Sequence, residues 1–261
     1  MSSSVIKPLV RAAERAGVLI LTIDREQAGN SISRDTAQAM RDALDGTAGR
    51  TDLRGIVVTG AGDRFFCTGG DLKAYRAISS PEELAETFGV VRGLLDAFEA
   101  HPLPVIAAIN GYALGGGAEL ALACDLRFMA GDAKIGLPQA RLGIIPGWNG
   151  AERLMHVVGY ARAMRMLLSC EQLSAGEALD QGLIDAVAVG EDVVDHAVGF
   201  LTAMPAAPLA VSATKRALRA AARGEGRAAG EALLEDLWFS EDHREAEQAF
   251  AEKRAAVFKG R

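Results

Sequence analysis

The chain has 261 residues, 49% of them apolar and 24% charged, with a formal net charge of −6, an ordinary balance for a globular protein. That charge leaves no basic field for nucleic acid and no basic cluster for an anionic membrane surface. Three scattered cysteines, Cys67, Cys124 and Cys170, form neither a metal-binding pattern nor an even disulfide set, so a cytoplasmic protein without a metal site is expected. The N-terminal MSSSVIKPLV lacks the charged-then-apolar layout of a secretion signal.

In chain order, GVLILTID (17–24) is a short apolar run between a glycine and an aspartate and predicts a strand. TAQAMRDALDG has helical spacing and ends at Gly46, the expected C-cap. RGIVVTGAG (54–62) is a β-branched strand that closes in a glycine turn. Residues 104–124 are nearly all apolar and long enough to span a bilayer. They also contain Asn110, Glu119 and the glycines 111 and 115–117. A carboxylate at bilayer depth costs roughly 2.5–3.5 kcal/mol, so a buried strand, a glycine turn and a buried helix are expected instead. LRFMA (126–130) is a further strand, followed by the turn GDAK.

Beyond residue 135 the pattern turns helical. Helical periodicity marks 161–169, 174–182, 192–204, 208–221 and 230–240, and residues 242–260 read as a charged amphipathic helix closing the chain. Ser174 followed by Glu177 is a capping box. The division expected is an α/β core over residues 1–190 and a helical C-terminal subdomain over 191–261.

Two glycine clusters each lead from a buried strand into a helix. Gly115–Gly117 open AELALAC, and Gly69–Gly70 precede Asp71, a candidate N-cap for the helix beginning Leu72-Lys73. The first N–H groups of a helix lack internal partners, and its dipole makes that end positive. Bare backbone there suits either tight packing or close approach of an anion. There is no GxxxxGK[ST] for a P-loop and no GxGxxG after an N-terminal strand for a dinucleotide. Two such turns converging on one oxygen would make an oxyanion hole. Glu119 follows Gly116 by one helical turn in a run too apolar for a solvated charge. It needs either a buried hydrogen-bond partner or a chemical task.

Together FFCTGGDLKAY, PVIAAINGYALGGGAELALACDLRFMA, IGLPQARLGIIPGWNGAERL and AFAEKRAAVFKG resemble the crotonase superfamily, the enoyl-CoA hydratase/isomerase group, from about residue 15 to the C-terminus. The resemblance implies a spiral of ββα units with a helical C-terminal subdomain that builds a trimer or a dimer of trimers. It implies an acyl-CoA substrate, with coenzyme A part of that substrate and no separate cofactor. The thioester oxygen would rest on the N–H groups of Gly70 and Gly116. Arg64, Thr68, Asp71, Leu72 and Lys73 around the first turn fall at substrate- and CoA-binding positions. Phe250 and Lys253 fall where members reach the CoA of a neighbouring subunit.

Hydratases of the family use two glutamates. One corresponds to Glu119; the other, after the proline of an LPE motif, corresponds here to Gln139. An amide orients a water or a substrate but moves no proton at neutral pH. General acid/base help is worth ~10²–10⁴ in rate, so the two-carboxylate route is impaired by about that factor. PGWNG replaces the family's small glycine-rich stretch, so Trp148 either shapes the acyl pocket or packs in the core or a subunit contact. Glu152 is a displaced acid or an ion pair with Arg153 or Arg141. Tyr75 and residues 76–90 fall on the family's variable acyl-pocket wall, and His101, His156, His196 and His243 match no catalytic position. Three readings stay open: an enoyl-CoA hydratase/isomerase-type enzyme, a relative with other enolate chemistry such as decarboxylation or thioester hydrolysis, and an acyl-CoA-binding protein with weak activity.

Overall fold

The structure, a computed structural model, describes residues 8–261. β1 (Val10–Arg15) and β2 (Val18–Ile23) form an antiparallel hairpin in which Val10 faces Ile23. Ala16 and Gly17 between them both have positive φ, 51° and 74°, the backbone a two-residue turn needs to match strand twist. Helix α1 (Arg34–Asp45) starts on Ser33, whose hydroxyl accepts the Thr36 N–H. Gly46 does end it, but in a right-handed conformation (φ −63°); the left-handed glycine comes three residues later, at Gly49.

From there the chain repeats one move: a long strand in one sheet, a short strand in a second, then a helix. β3 (Gly55–Gly60) is followed by β4 (Phe65–Cys67), α2 (Leu72–Tyr75) and α3 (Pro81–Ala100). β5 (Val105–Ile109) is followed by β6 (Tyr112–Leu114) and α4 (Gly116–Ala123). β7 (Leu126–Ala130) is followed by β8 (Lys134–Gly136) and a 3-10 turn, Pro138–Leu142. After α5 (Gly150–Val158) and α6 (Tyr160–Ser169) come β9 (Leu173–Ser174), α7 (Ala175–Asp180), which carries the expected Ser174–Glu177 capping box, and β10 (Ala186–Ala188). The first sheet has the order β1-β2-β3-β5-β7-β10 and the second β4-β6-β8-β9. This is the expected spiral of ββα units. The apolar stretch 104–124 divides into β5, β6 and α4, and no single helix among the described residues is long and apolar enough to cross a membrane.

β3 and β5 are buried on both faces because one face joins the main core with α1, α3 and α4 and the other meets α8 (Val193–Ala203). Val18, Val57, Ile106 and Phe128 pack there against Val193, Val198 and Leu201. Each fully buried aliphatic side chain contributes about 1.5–3 kcal/mol, so α8, which the sequence division places in the C-terminal part, is tied to the sheet. α9 (Pro208–Ala222) and α10 (Gly226–Trp238) pack mainly on each other. Lys215 of α9 donates to the carbonyls of Phe98 and Leu103 at 2.8 and 3.1 Å and pairs with Asp125 at 2.7 Å. α11 (Glu241–Glu252) is shorter than the helix expected over 242–260. Lys253 ends it in the left-handed region, and the tail folds back so that Asp242 accepts the N–H groups of Lys259 and Gly260.

Candidate active site

The two glycine turns meet. A side chain on Gly69 would lie 3.1 Å from the Gly116 nitrogen, and one on Gly116 would lie 3.0 Å from the Gly69 Cα. Asn110 fixes the units that carry them: its side chain accepts the Gly60 N–H and donates to the carbonyls of Gly60 and Gly62. The three consecutive glycines have three different reasons. Gly115 takes φ +56°, which side-chain-bearing residues rarely adopt. Gly117 faces the Cys67 carbonyl, where a Cβ would be 1.8 Å from oxygen. Gly116 lies against Trp148 and the Gly69 backbone. Tight packing thus accounts for Gly117 and Gly116, where a Cβ would lie 2.4 Å from the Trp148 ring, and a turn accounts for Gly115.

Gly116 is the first residue of α4, so its N–H has no acceptor inside the helix. On the other turn, Ile32 donates to the Gly69 carbonyl and accepts the Asp71 N–H; the Gly70 N–H lies outside that bridge. Both proposed oxyanion donors are therefore left over from the backbone pairing.

Glu119 is 2% exposed. Its Oε2 accepts the backbone N–H groups of Trp148 and Gly150 at 2.7 and 2.9 Å, and its Oε1 accepts from Gln139 Nε2 at 3.0 Å. Gly150 has to be a glycine, since a Cβ there would be 2.4 Å from Glu119 Cγ. Burial pushes the Glu119 carboxyl above its ordinary range, against the opposing pull of these donors. Gln139 is 8% exposed, and its Oε1 is buried with no partner among the described residues. An orphaned buried acceptor costs about 1–3 kcal/mol unless something fills it.

The loop that clamps Glu119 is itself held by cations. Arg92 donates to the Gly147 carbonyl at 2.9 Å, so the same peptide group turns its N–H, that of Trp148, toward Glu119. Arg153 donates to the Trp148 carbonyl and pairs with Asp96 and Glu99 at 2.9 and 3.0 Å. The pairing of Glu152 with Arg153 or Arg141 is not formed; Glu152 is exposed, because Arg153 turns inward to the α3 carboxylates. Trp148 is buried, with its ring on Gly116, and so packs in the core while also walling the site. Sequence reasoning missed the two backbone donors at Trp148 and Gly150. The glycines on either side of Trp148-Asn149 were the available signal.

The remaining candidates spread outward from this centre. Thr68 donates both its hydroxyl and its N–H to the Gly29 carbonyl. Asp71 caps α2 by accepting the Lys73 N–H and pairs with Arg25 at 2.9 Å, which holds its carboxyl below the usual range. Leu72 and Lys73 are exposed, and the exposed Arg64 lies over the Phe65 ring at 4.8 Å. Phe250 and Lys253 lie on and just past α11, which packs on α10, and are not brought to Glu119 within one chain. A cleft of about 620 Å³ next to the site is lined by Leu84, Phe88, Arg92, Ala140, Ile144 and Gly147 among others. Of the histidines, His101 bonds Thr47, His196 pairs with Glu191, and His243 stacks on Trp238.

Comparison with known proteins gives one answer. Residues 13–261 match the family model described as enoyl-CoA hydratase/isomerase. An enoyl-CoA isomerase/hydratase of Mycosarcoma maydis is 40% identical, over 96% of this chain and 95% of the relative. The 2,3-dehydroadipyl-CoA hydratase of Escherichia coli is 37% identical, over 94% and 96%. The crystal structure of an enoyl-CoA hydratase from Bacillus anthracis superposes with a TM-score of 0.92 at 32% identity, covering 97% of this chain and all of that one.

Proposed function

The chain belongs to the enoyl-CoA hydratase/isomerase family of the crotonase superfamily, and on that premise we propose that it adds water across the double bond of a 2-enoyl-CoA thioester with Glu119 as its single proton-moving carboxylate. The observation that carries this reading is the state of Glu119. Its carboxylate is buried, held by three neutral N–H donors, and forms no ion pair among the described residues.

In this reading the thioester oxygen accepts from the Gly70 and Gly116 N–H groups, which are in place before charge develops. A water lies between Glu119 Oε1 and the orphaned Gln139 Oε1, donating one O–H to each, with a lone pair left for the β-carbon. As that C–O bond forms, the double-bond electrons move toward the thioester oxygen to give an enolate, and Glu119 takes the water proton. The protonated Glu119 then returns that proton to the α-carbon, completing the addition of H and OH. Burial favours the neutral carboxyl and so supports this transient protonation. Gln139 serves as orienter only, as its amide requires.

Double-bond migration is the second reading: the amide at position 139 cannot serve as its base, so Glu119 alone would shuttle the proton between two carbons. Coenzyme A is carried as part of the substrate, with Arg64 and Lys73 near its phosphates. Phe250, 88% exposed, and Lys253 are available to the CoA of a neighbouring subunit in a trimer or dimer of trimers.

The test is crotonyl-CoA hydration, followed as loss of enoyl absorbance, with Glu119→Gln alongside. Turnover by wild type that collapses in the variant is the expected result. A 3-enoyl-CoA converted to its 2-enoyl isomer while crotonyl-CoA stays unchanged would select the second reading. No turnover of either, with CoA esters still bound, would overturn both.

A further inference from the structure

A second buried polar group at this site has a proton with no acceptor and no part in the steps above. Tyr75, the last residue of α2, folds its ring back over Gly70. A Cβ on Gly70 would lie 2.2 to 2.3 Å from Tyr75 Cε2, Cζ and Oη, so the phenol end of the ring occupies the space a side chain would take. Phe88 of α3 packs on the ring with centroids 4.8 Å apart and fixes its position. The Tyr75 hydroxyl is buried, and its polar neighbour is the Trp148 side chain, whose indole N–H can only donate, so the phenol O–H has no acceptor among the described residues. A buried O–H without an acceptor costs free energy, and a phenylalanine would fill the same space without that cost.

We propose that Tyr75 is a further catalytic residue, whose hydroxyl donates a third hydrogen bond to the acyl thioester oxygen held at Gly70 and Gly116. The inference rests on the acyl-CoA reading of this site. The hydroxyl lies beside the backbone of one of the two amide donors, held there by Phe88. Burial pushes the phenol up to about 12, so it stays protonated at neutral pH and acts as a donor throughout. It neither gives up nor receives a proton. A donor in place before the enolate forms strengthens as charge moves onto the oxygen. It therefore favours the transition state over the bound substrate and acts on kcat more than on KM.

The test is Tyr75→Phe, which keeps the ring and its packing. Crotonyl-CoA kcat is expected to fall about tenfold to a hundredfold, toward the loss typical of one oxyanion donor, with KM within about twofold. A structural role would leave kcat alone. A second readout needs no turnover: a para-dimethylaminocinnamoyl-CoA thioester, whose absorption moves to longer wavelength as its carbonyl is polarised, should shift less on the variant than on wild type. Thermal stability should stay close to wild type, since the ring and its packing on Phe88 are kept. Equal kcat and an equal absorption shift in the two proteins would overturn the assignment. A wild-type protein that binds neither thioester would overturn the acyl-CoA reading, and this inference with it.

Discussion

Two buried charges, Lys215 on α9 and Glu119 on α4, are satisfied in different ways. Lys215 faces Asp125 at 2.7 Å and two main-chain carbonyls, and Arg219 bonds the same aspartate and Glu99. Glu119 meets only neutral N–H donors. Burial is the largest influence on both and drives each toward its neutral form, Lys215 downward and Glu119 upward. For Lys215 the opposing charge of Asp125 counters that effect of burial. A charge matched by a counter-ion in a full set of acceptors is a tie between elements. A carboxylate held by neutral donors, with a spare lone pair beside an unfilled amide oxygen, can exchange a proton.

The sharpest way to break this comparison is to neutralise both. Glu119→Gln should lower kcat for crotonyl-CoA by ~10²–10⁴, the worth of a general acid/base, while CoA-ester affinity by calorimetry stays within a few-fold. Lys215→Ala should do the reverse. It leaves Asp125 and two carbonyls short of a partner and should cost about 3–5 kcal/mol in chemical denaturation, the range for breaking a buried pair, with kcat per folded molecule unchanged. A Lys215 variant that folds normally but loses kcat would erase the distinction.

A smaller effect sharpens it. Gln139→Glu places a second carboxyl where an amide now donates to Glu119 at 3.0 Å. Two like charges at that distance cannot both ionise, so one proton is retained. Hydration should rise about tenfold through the added acid; an unchanged rate would mean that water orientation, not proton supply, limits the reaction.

The smallest expected effect is on stability against pH. Glu119 is raised in the folded state, so between its unfolded value, about 4.3, and its folded one the unfolded chain ionises first and the fold loses stability. That loss is absent below the unfolded value and grows as the pH rises toward the folded one. Glu119→Gln should therefore melt higher than wild type at pH 7, with the difference closing as the pH falls below about 4. A gap absent or reversed at pH 7 would show that the N–H donors hold the carboxylate against the cost of burial.

The longer parallel strands of the first sheet were legible. Strands β2, β3, β5 and β7 have apolar runs long enough to read, and the glycine turns pointed to Gly70 and Gly116. The short strands β4, β6, β8 and β9 were not, because two or three residues show no period and are held by neighbours from other units. Helix α3 was passed over although Ser80, Pro81 and two glutamates give an N-terminal signature. The clamp on Glu119 was hidden for a different reason. Its donors are backbone N–H groups, which every residue except proline carries, so identity alone does not announce them.

The sequence by itself determined the family, the alternation of strand and helix, the position of the buried carboxylate, and the replacement of its usual partner by an amide. These follow from residue type and local order, which hydrophobic period and turn chemistry express directly. Only the tertiary structure decided that Gly117 packs on the Cys67 carbonyl and Gly116 on the Trp148 ring, that Arg153 turns inward and not to Glu152, and that Tyr75 lies over Gly70. Each depends on which atoms from distant parts of the chain come within a few ångströms, and close packing in three dimensions, not order along the chain, sets those distances.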